Sequence, residues 1–69
     1  MLRIMKSCYI IREGRTGGDE WILCVCKEKE ITEDLCREDG YNALTNDVWG
    51  RYIGDDAYYR KIEKVNFYE

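Results

Sequence analysis

The chain has no histidine, no proline and a single phenylalanine. Without histidine, a cysteine or serine nucleophile lacks its usual general base, and a zinc site would have to be made without imidazole. Without proline there is no native cis-prolyl bond to slow folding. No apolar run approaches the roughly 20 residues of a membrane-spanning helix. The segment Met1–Cys8 has no apolar stretch long enough for a secretory signal, so a cytoplasmic protein with reduced thiols is expected. The Walker pattern, Gly-x-Gly-x-x-Gly, Cys-x-x-Cys and the EF-hand spacing are all missing. Basic residues are outnumbered, 11 to 14, which leaves a net charge of −3 and argues against generic nucleic-acid binding.

What is present fits one domain over residues 1–69. A chain of this length hides only about 60% of the surface its unfolded form exposes. Six tyrosines and two tryptophans supply large apolar area per residue. Charge is uneven along the chain. Residues 1–27 carry +2 and residues 57–69 carry +1, while residues 28–56, with three basic and nine acidic side chains, carry −6. Such a segment is either a solvated helical face or an acidic patch for a basic partner.

The organising stretch is Lys6–Lys27, which reads as two strands around the Gly-rich turn Glu13–Glu20. The first strand covers 2–13. In the second, over 20–27, Trp21, Leu23 and Val25 alternate with Ile22, Cys24 and Cys26. Apolar on both faces, it is expected at the centre of the sheet. Thr32 is a candidate helix N-cap, and Gly40 a natural stop. The spacing predicts a helix over about 33–39, or a longer one starting near Glu28. Leu44, Val48 and Tyr52 recur at every fourth position and predict a second helical segment within 41–53. Residues 57–68 read as the last strand, with a bulge near Arg60–Lys61 reconciling Tyr59, Ile62 and Val65.

Cys24 and Cys26 share a strand face, and Cys8 and Cys36 could approach them. The spacing departs from paired zinc knuckles, and buried structural thiols are expected instead. The adjacent carboxylates Glu33/Asp34, Glu38/Asp39 and Asp55/Asp56 do not face one cleft in different environments, as general acid–base chemistry requires. Tyr52, Tyr58, Tyr59, Tyr68 and Trp49 could stack on single-stranded nucleic acid, but the acidity of the chain opposes this.

The first strand, Met5-Lys6-Ser7-Cys8-Tyr9-Ile10-Ile11-Arg12-Glu13-Gly14, resembles that of small proteins encoded by phages and mobile elements. The last, Ile62-Glu63-Lys64-Val65-Asn66-Phe67-Tyr68-Glu69, resembles their closing strand, and some small anti-CRISPR proteins begin in a similar way. The resemblance covers under half the chain. It implies a strand–strand–helix–strand domain and a role as a stoichiometric inhibitor, and it carries over no functional residue.

The expected fold is therefore α+β: a three-stranded antiparallel sheet with one or two short helices on one face, in the order β-β-α-(α)-β, the last strand beside the first. The expected function is that of a non-enzymatic binding protein, without cofactor or metal, that blocks a host protein or protein–nucleic-acid complex. Glu30, Glu33, Asp34, Glu38, Asp39, Asp55 and Asp56 would contact the partner together with Trp49 as an exposed aromatic. The alternative is a small structural or regulatory homodimer that associates through the sheet face its helices leave uncovered.

Overall fold

A computed structural model describes residues 4–68. The chain forms β1 (Met5–Arg15), β2 (Glu20–Cys26), α1 (Lys29–Glu38), β3 (Asn42–Ala43), β4 (Val48–Ile53) and β5 (Asp56–Tyr68). All strands join one antiparallel sheet in the order β2-β1-β5-β4-β3, and α1 packs on one side of it. The expected hairpin is present, and β5 does pair with β1, from Met5↔Tyr68 to Arg15↔Tyr58. The expected start of the first strand at Leu2 and Arg3 lies outside the described residues.

The fold corrects the expectation of three strands and a possible second helix. Within 41–53 the chain is extended: β3 pairs with β4, and β4 with β5. Every fourth residue is also every second residue twice over, so the spacing of Leu44, Val48 and Tyr52 suits a strand pattern as well as a helical one. The β-branched and aromatic content of Val48-Trp49-Gly50-Arg51-Tyr52-Ile53 favours the strand. The tight turn behind it decides the matter. Ile53 pairs with Asp56 across Gly54 and Asp55, and Gly54 has a φ of 61°. A two-residue turn with a positive first φ matches the twist of a hairpin, and glycine takes that φ without a Cβ clash.

Three local expectations are also corrected. The second strand, β2, is an edge strand and not a central one. The irregularity in pairing lies between Ile11 and Arg12 on the β1–β2 ladder, while β5 runs regularly past Arg60 and Lys61. Thr32 lies inside the helix, fully buried, its hydroxyl donating to the Lys29 carbonyl. The helix starts at Lys29, close to the longer of the two expected forms, and ends as expected at Gly40. There the Tyr41 amide donates to the Cys36 carbonyl (2.9 Å) and the Gly40 amide to the Arg37 carbonyl (3.0 Å). This is a Schellman closure, with Gly40 in the left-handed region.

One side of the sheet, the helix face, carries Tyr9, Ile11, Glu13, Cys24, Cys26, Trp49, Arg60 and Ile62. Buried Ile11, Cys36, Tyr41, Trp49 and Ile62 form the core there, with Tyr9, Cys24, Cys26, Leu35 and Tyr58 packed around it. The opposite side, the open face, has no helix over it among the described residues. The molecule is elongated, 54 × 22 × 17 Å, because the β1–β5 ribbon runs past its neighbours.

Candidate interaction surface

Glu13 and Arg60 are cross-strand partners on β1 and β5, and the end of α1 closes over them. Arg60 is 5% exposed. Its Nε lies 3.0 Å from Glu13 Oε1 and its guanidinium 2.7 Å from Asp39 Oδ2. It also stacks over the Tyr41 ring at 4.2 Å. The Tyr41 hydroxyl donates to the same Glu13 oxygen at 2.6 Å. Burial works against the Arg60 charge, but its hydrogen bonds to Asp39 and Glu13 outweigh that and raise its pKa above the ordinary value. Burial, and then the bond to Glu13, push the Tyr41 phenol up to about 12. These groups satisfy one another beneath the helix end. Their work is to fasten the α1–β3 connection to the sheet.

The open face is organised differently. Ladder register places Cys8 beside Val65, and Ile10 between Val25 and Glu63. Phe67, near the end of β5 and opposite Lys6 of β1, continues this zone, and Ile22 borders it on β2. Ile22 is 54% exposed, Val25 59% and Phe67 41%. Next to the apolar zone runs a paired charged row. Arg12 meets Glu63 at 3.3 Å, and Lys61 meets Glu20 at 3.3 Å. The Tyr59 hydroxyl donates to Glu20 at 2.7 Å. That bond, with Lys61 nearby, lowers the Glu20 pKa, and the same bond raises that of Tyr59. An exposed apolar patch with a rim of already paired charges has the make-up of a protein contact surface.

The residues expected to meet a partner are dispersed. Glu30, Glu33, Asp34 and Glu38 lie on α1 and Asp39 at its end. Glu33 and Asp34 both pair with Arg37, at 3.6 and 3.1 Å, and Asp39 pairs with Arg60. Asp55 is in the β4–β5 turn, and Asp56 opens β5 against Arg15 at 3.7 Å. Trp49 is 4% exposed, under Arg37 and inside the core, so its expected place as an exposed aromatic is corrected. Cross-strand register puts Trp49 opposite Arg60 on the helix face.

The thiols divide between the two faces. Cys8 is on the open face, while Cys24 and Cys26 face the helix with their sulfurs 4.0 Å apart and Cys36 is fully buried. Burial raises the Cys36 thiol pKa and, with Cys26 adding to it, that of Cys24. Among the described residues no cluster of three or more histidine, cysteine, aspartate or glutamate side chains is arranged to hold a metal ion.

Sequence reasoning overlooked the Glu13–Arg60–Tyr41 cluster. Its only signal was a charged pair inside two otherwise apolar strands, unreadable until β5 was set in register against β1. It did find the two-faced apolar character of β2. The strict alternation expected there is broken by the bulge, which leaves Trp21, Cys24 and Cys26 on the helix face and Ile22 and Val25 on the open face. No protein-family model matches this chain, and neither a curated protein nor a solved structure matches it significantly. No helix among the described residues is long and apolar enough to cross a membrane.

Proposed function

We propose that the chain is a non-enzymatic binding protein that regulates or blocks a host macromolecular complex by surface complementarity, with the apolar zone of the open face as its contact surface. One observation carries this reading: a single helix covers one side of the sheet, and the other side displays Ile22, Val25 and Phe67 at roughly half exposure. The partner is a protein with an apolar patch of its own, because the charges of the adjoining row, Arg12, Glu63, Lys61 and Glu20, are already paired and offer little to phosphate. The helical carboxylates act at most as a rim that speeds encounter, four of the seven expected acidic contacts being held in intramolecular ion pairs.

Affinity capture from host lysate tests the reading with three baits: wild type, Val25→Lys/Phe67→Lys and Asp34→Lys/Glu38→Lys. The expected result is a protein retained by wild type and by the helix variant and lost with the open-face variant. Retention by the open-face variant alongside loss with the helix variant would overturn the assignment in favour of the acidic segment.

A further inference from the structure

Four pairs of the β1–β5 ladder, from Met5↔Tyr68 to Cys8↔Val65, extend beyond both neighbouring strands. On one side β2 ends at Tyr9↔Cys26, and on the other β4 ends at Val48↔Lys61. A two-stranded ribbon is marginal in water unless further strands or a packed layer support it. This one exposes Met5, Phe67 and Tyr68 at 60%, 41% and 66%.

One hydrogen bond shows which backbone groups the ribbon offers. The Ile62 amide donates to the Asp47 carbonyl at 2.8 Å, on the β4 side. Strand alternation turns the N–H and C=O of Lys64, Asn66 and Tyr68 to that same side and those of Glu63, Val65 and Phe67 towards β1. Among the described residues no strand pairs with this outer edge. Among the described residues the matching edge of β1 offers only Met5 and Ser7 in the same way. The long edge of β2 contains the bulge, which breaks its alternation and discourages strand addition. Of these three edges the regular one of β5 is best suited to accept a strand.

We propose that a second copy of this chain pairs antiparallel with it along residues 64–68 of β5, about a two-fold axis normal to the sheet at Asn66. Such an axis preserves the two faces, so residues opposite each other must have the same parity, and the hydrogen-bonded pairs must join outward-pointing residues. The register centred on Asn66 uses all three outward residues. Lys64 stands opposite Tyr68 of the second copy, and Asn66 opposite Asn66 of the second copy. The register centred on Val65 would call on Ile62, whose amide is already taken. In the Asn66 register Val65 and Phe67 face each other twice at the closer, non-hydrogen-bonded positions on the open face. Lys64 is the one charged residue in 64–68 and meets an aromatic ring, so no like charges oppose within that stretch.

Pairing converts the ribbon into the middle of a sheet continuous through both copies. It goes beyond the function proposed above, because it uses a backbone edge and leaves Ile22 and Val25 uncovered. It also presents the two open faces on the same side, as one larger surface.

Sedimentation equilibrium of the purified chain is expected to give about twice the monomer mass of 8.3 kDa. Asn66→Pro removes an outward amide and no bond to β1, so it should give a monomer whose near-ultraviolet circular dichroism is unchanged. Asn66→Cys, mildly oxidised, should form a 66–66 disulfide detectable by peptide mapping, since hydrogen-bonded pairs hold Cα atoms about 5.5 Å apart. Lys64→Cys should give no such bond to itself. A wild-type monomer at millimolar concentration would overturn the proposal, as would a dimer that Asn66→Pro leaves intact and that Asn66→Cys does not cross-link. A monomer that still captures a partner through Val25 and Phe67 would remove the dimer and leave the binding function standing.

Discussion

Tyr59 lies across Gly14. The two are cross-strand partners on the open face, and a Cβ at position 14 would fall 2.5 Å from the Tyr59 hydroxyl oxygen and 2.6 Å from its Cζ. The space glycine leaves is filled by the ring, which reaches over β1 to hydrogen-bond Glu20 on β2. Lys61 approaches the ring at 5.2 Å and Glu20 at 3.3 Å, so one tyrosine ties three strands together. The pairing of an absent side chain with an aromatic one is a known means of holding sheet register.

Gly14→Ala should therefore displace the Tyr59 ring and lose its bond to Glu20. A destabilisation of about 1–3 kcal/mol in urea unfolding is expected. In a Tyr59→Ala background the same substitution should cost little, because the clash is gone. Equal costs in both backgrounds would show that the strain at position 14 comes from the backbone and not from the ring.

Arg60 is the buried charge on which the helix end depends. Arg60→Met leaves Glu13 beneath the helix without its cation, and breaking a buried pair from one side costs about 3–5 kcal/mol. Arg60→Lys should recover only part of this, because a single ammonium cannot reach Glu13, Asp39 and the Leu35 carbonyl in the planar arrangement seen here. Replacing Glu13 together with Arg60 by apolar residues should be milder than Arg60→Met alone. Chemical denaturation of the three variants checks the order.

The first hairpin, the helix end at Gly40 and the β1–β5 neighbourhood were legible in the sequence because each rests on local chemistry: a glycine turn between apolar runs, a glycine stop, and two long β-rich segments. The β4 strand was not legible. Leu44, Val48 and Tyr52 fit both periods, and the clue that separates them, the two-residue turn at Gly54–Asp55, only acts once Ile53 finds Asp56. Reading β4 as helix also misplaces Trp49 as an exposed aromatic, whereas its partner across the ladder is buried Arg60. The position of β2 at the edge depends on global strand order, which no local pattern in Trp21–Cys26 encodes. Its apolar side chains on both faces, which suggested a central strand, instead give an edge strand with an exposed face.

The thiols should separate by accessibility. Cys36 is fully buried, with its pKa raised by that burial, whereas Cys8 and Cys26 are half-buried. A disulfide reagent added to native protein should label Cys8 and Cys26 first, and Cys24 more slowly because its pKa is also raised. Cys36 should react only at the rate of unfolding. Peptide mapping after short exposure distinguishes them; early modification of Cys36 would mean that the helix opens far more readily than its packing implies.

Tyr41 should govern stability at alkaline pH. Its hydroxyl donates to Glu13 and its pKa is pushed up to about 12, from an ordinary value near 10. In the range between these values the unfolded chain has lost the phenolic proton while the folded chain keeps it. The unfolded state then binds fewer protons, so stability falls as pH rises. The contribution is fully present below about pH 10 and gone above about 12, and a shift of that size corresponds to about 2–3 kcal/mol. At neutral pH Tyr41→Phe should cost about 1 kcal/mol for the lost hydrogen bond. As pH climbs towards 12 the gap between the two proteins should close and then invert, because only wild type must place a phenolate beside Glu13. Denaturant unfolding across this range measures the gap directly. A parallel ultraviolet titration should show a late phenolic phase near pH 12. Tyr41→Phe should abolish that late phase, and curves that stay parallel through pH 12 would show that Tyr41 does not control the alkaline transition.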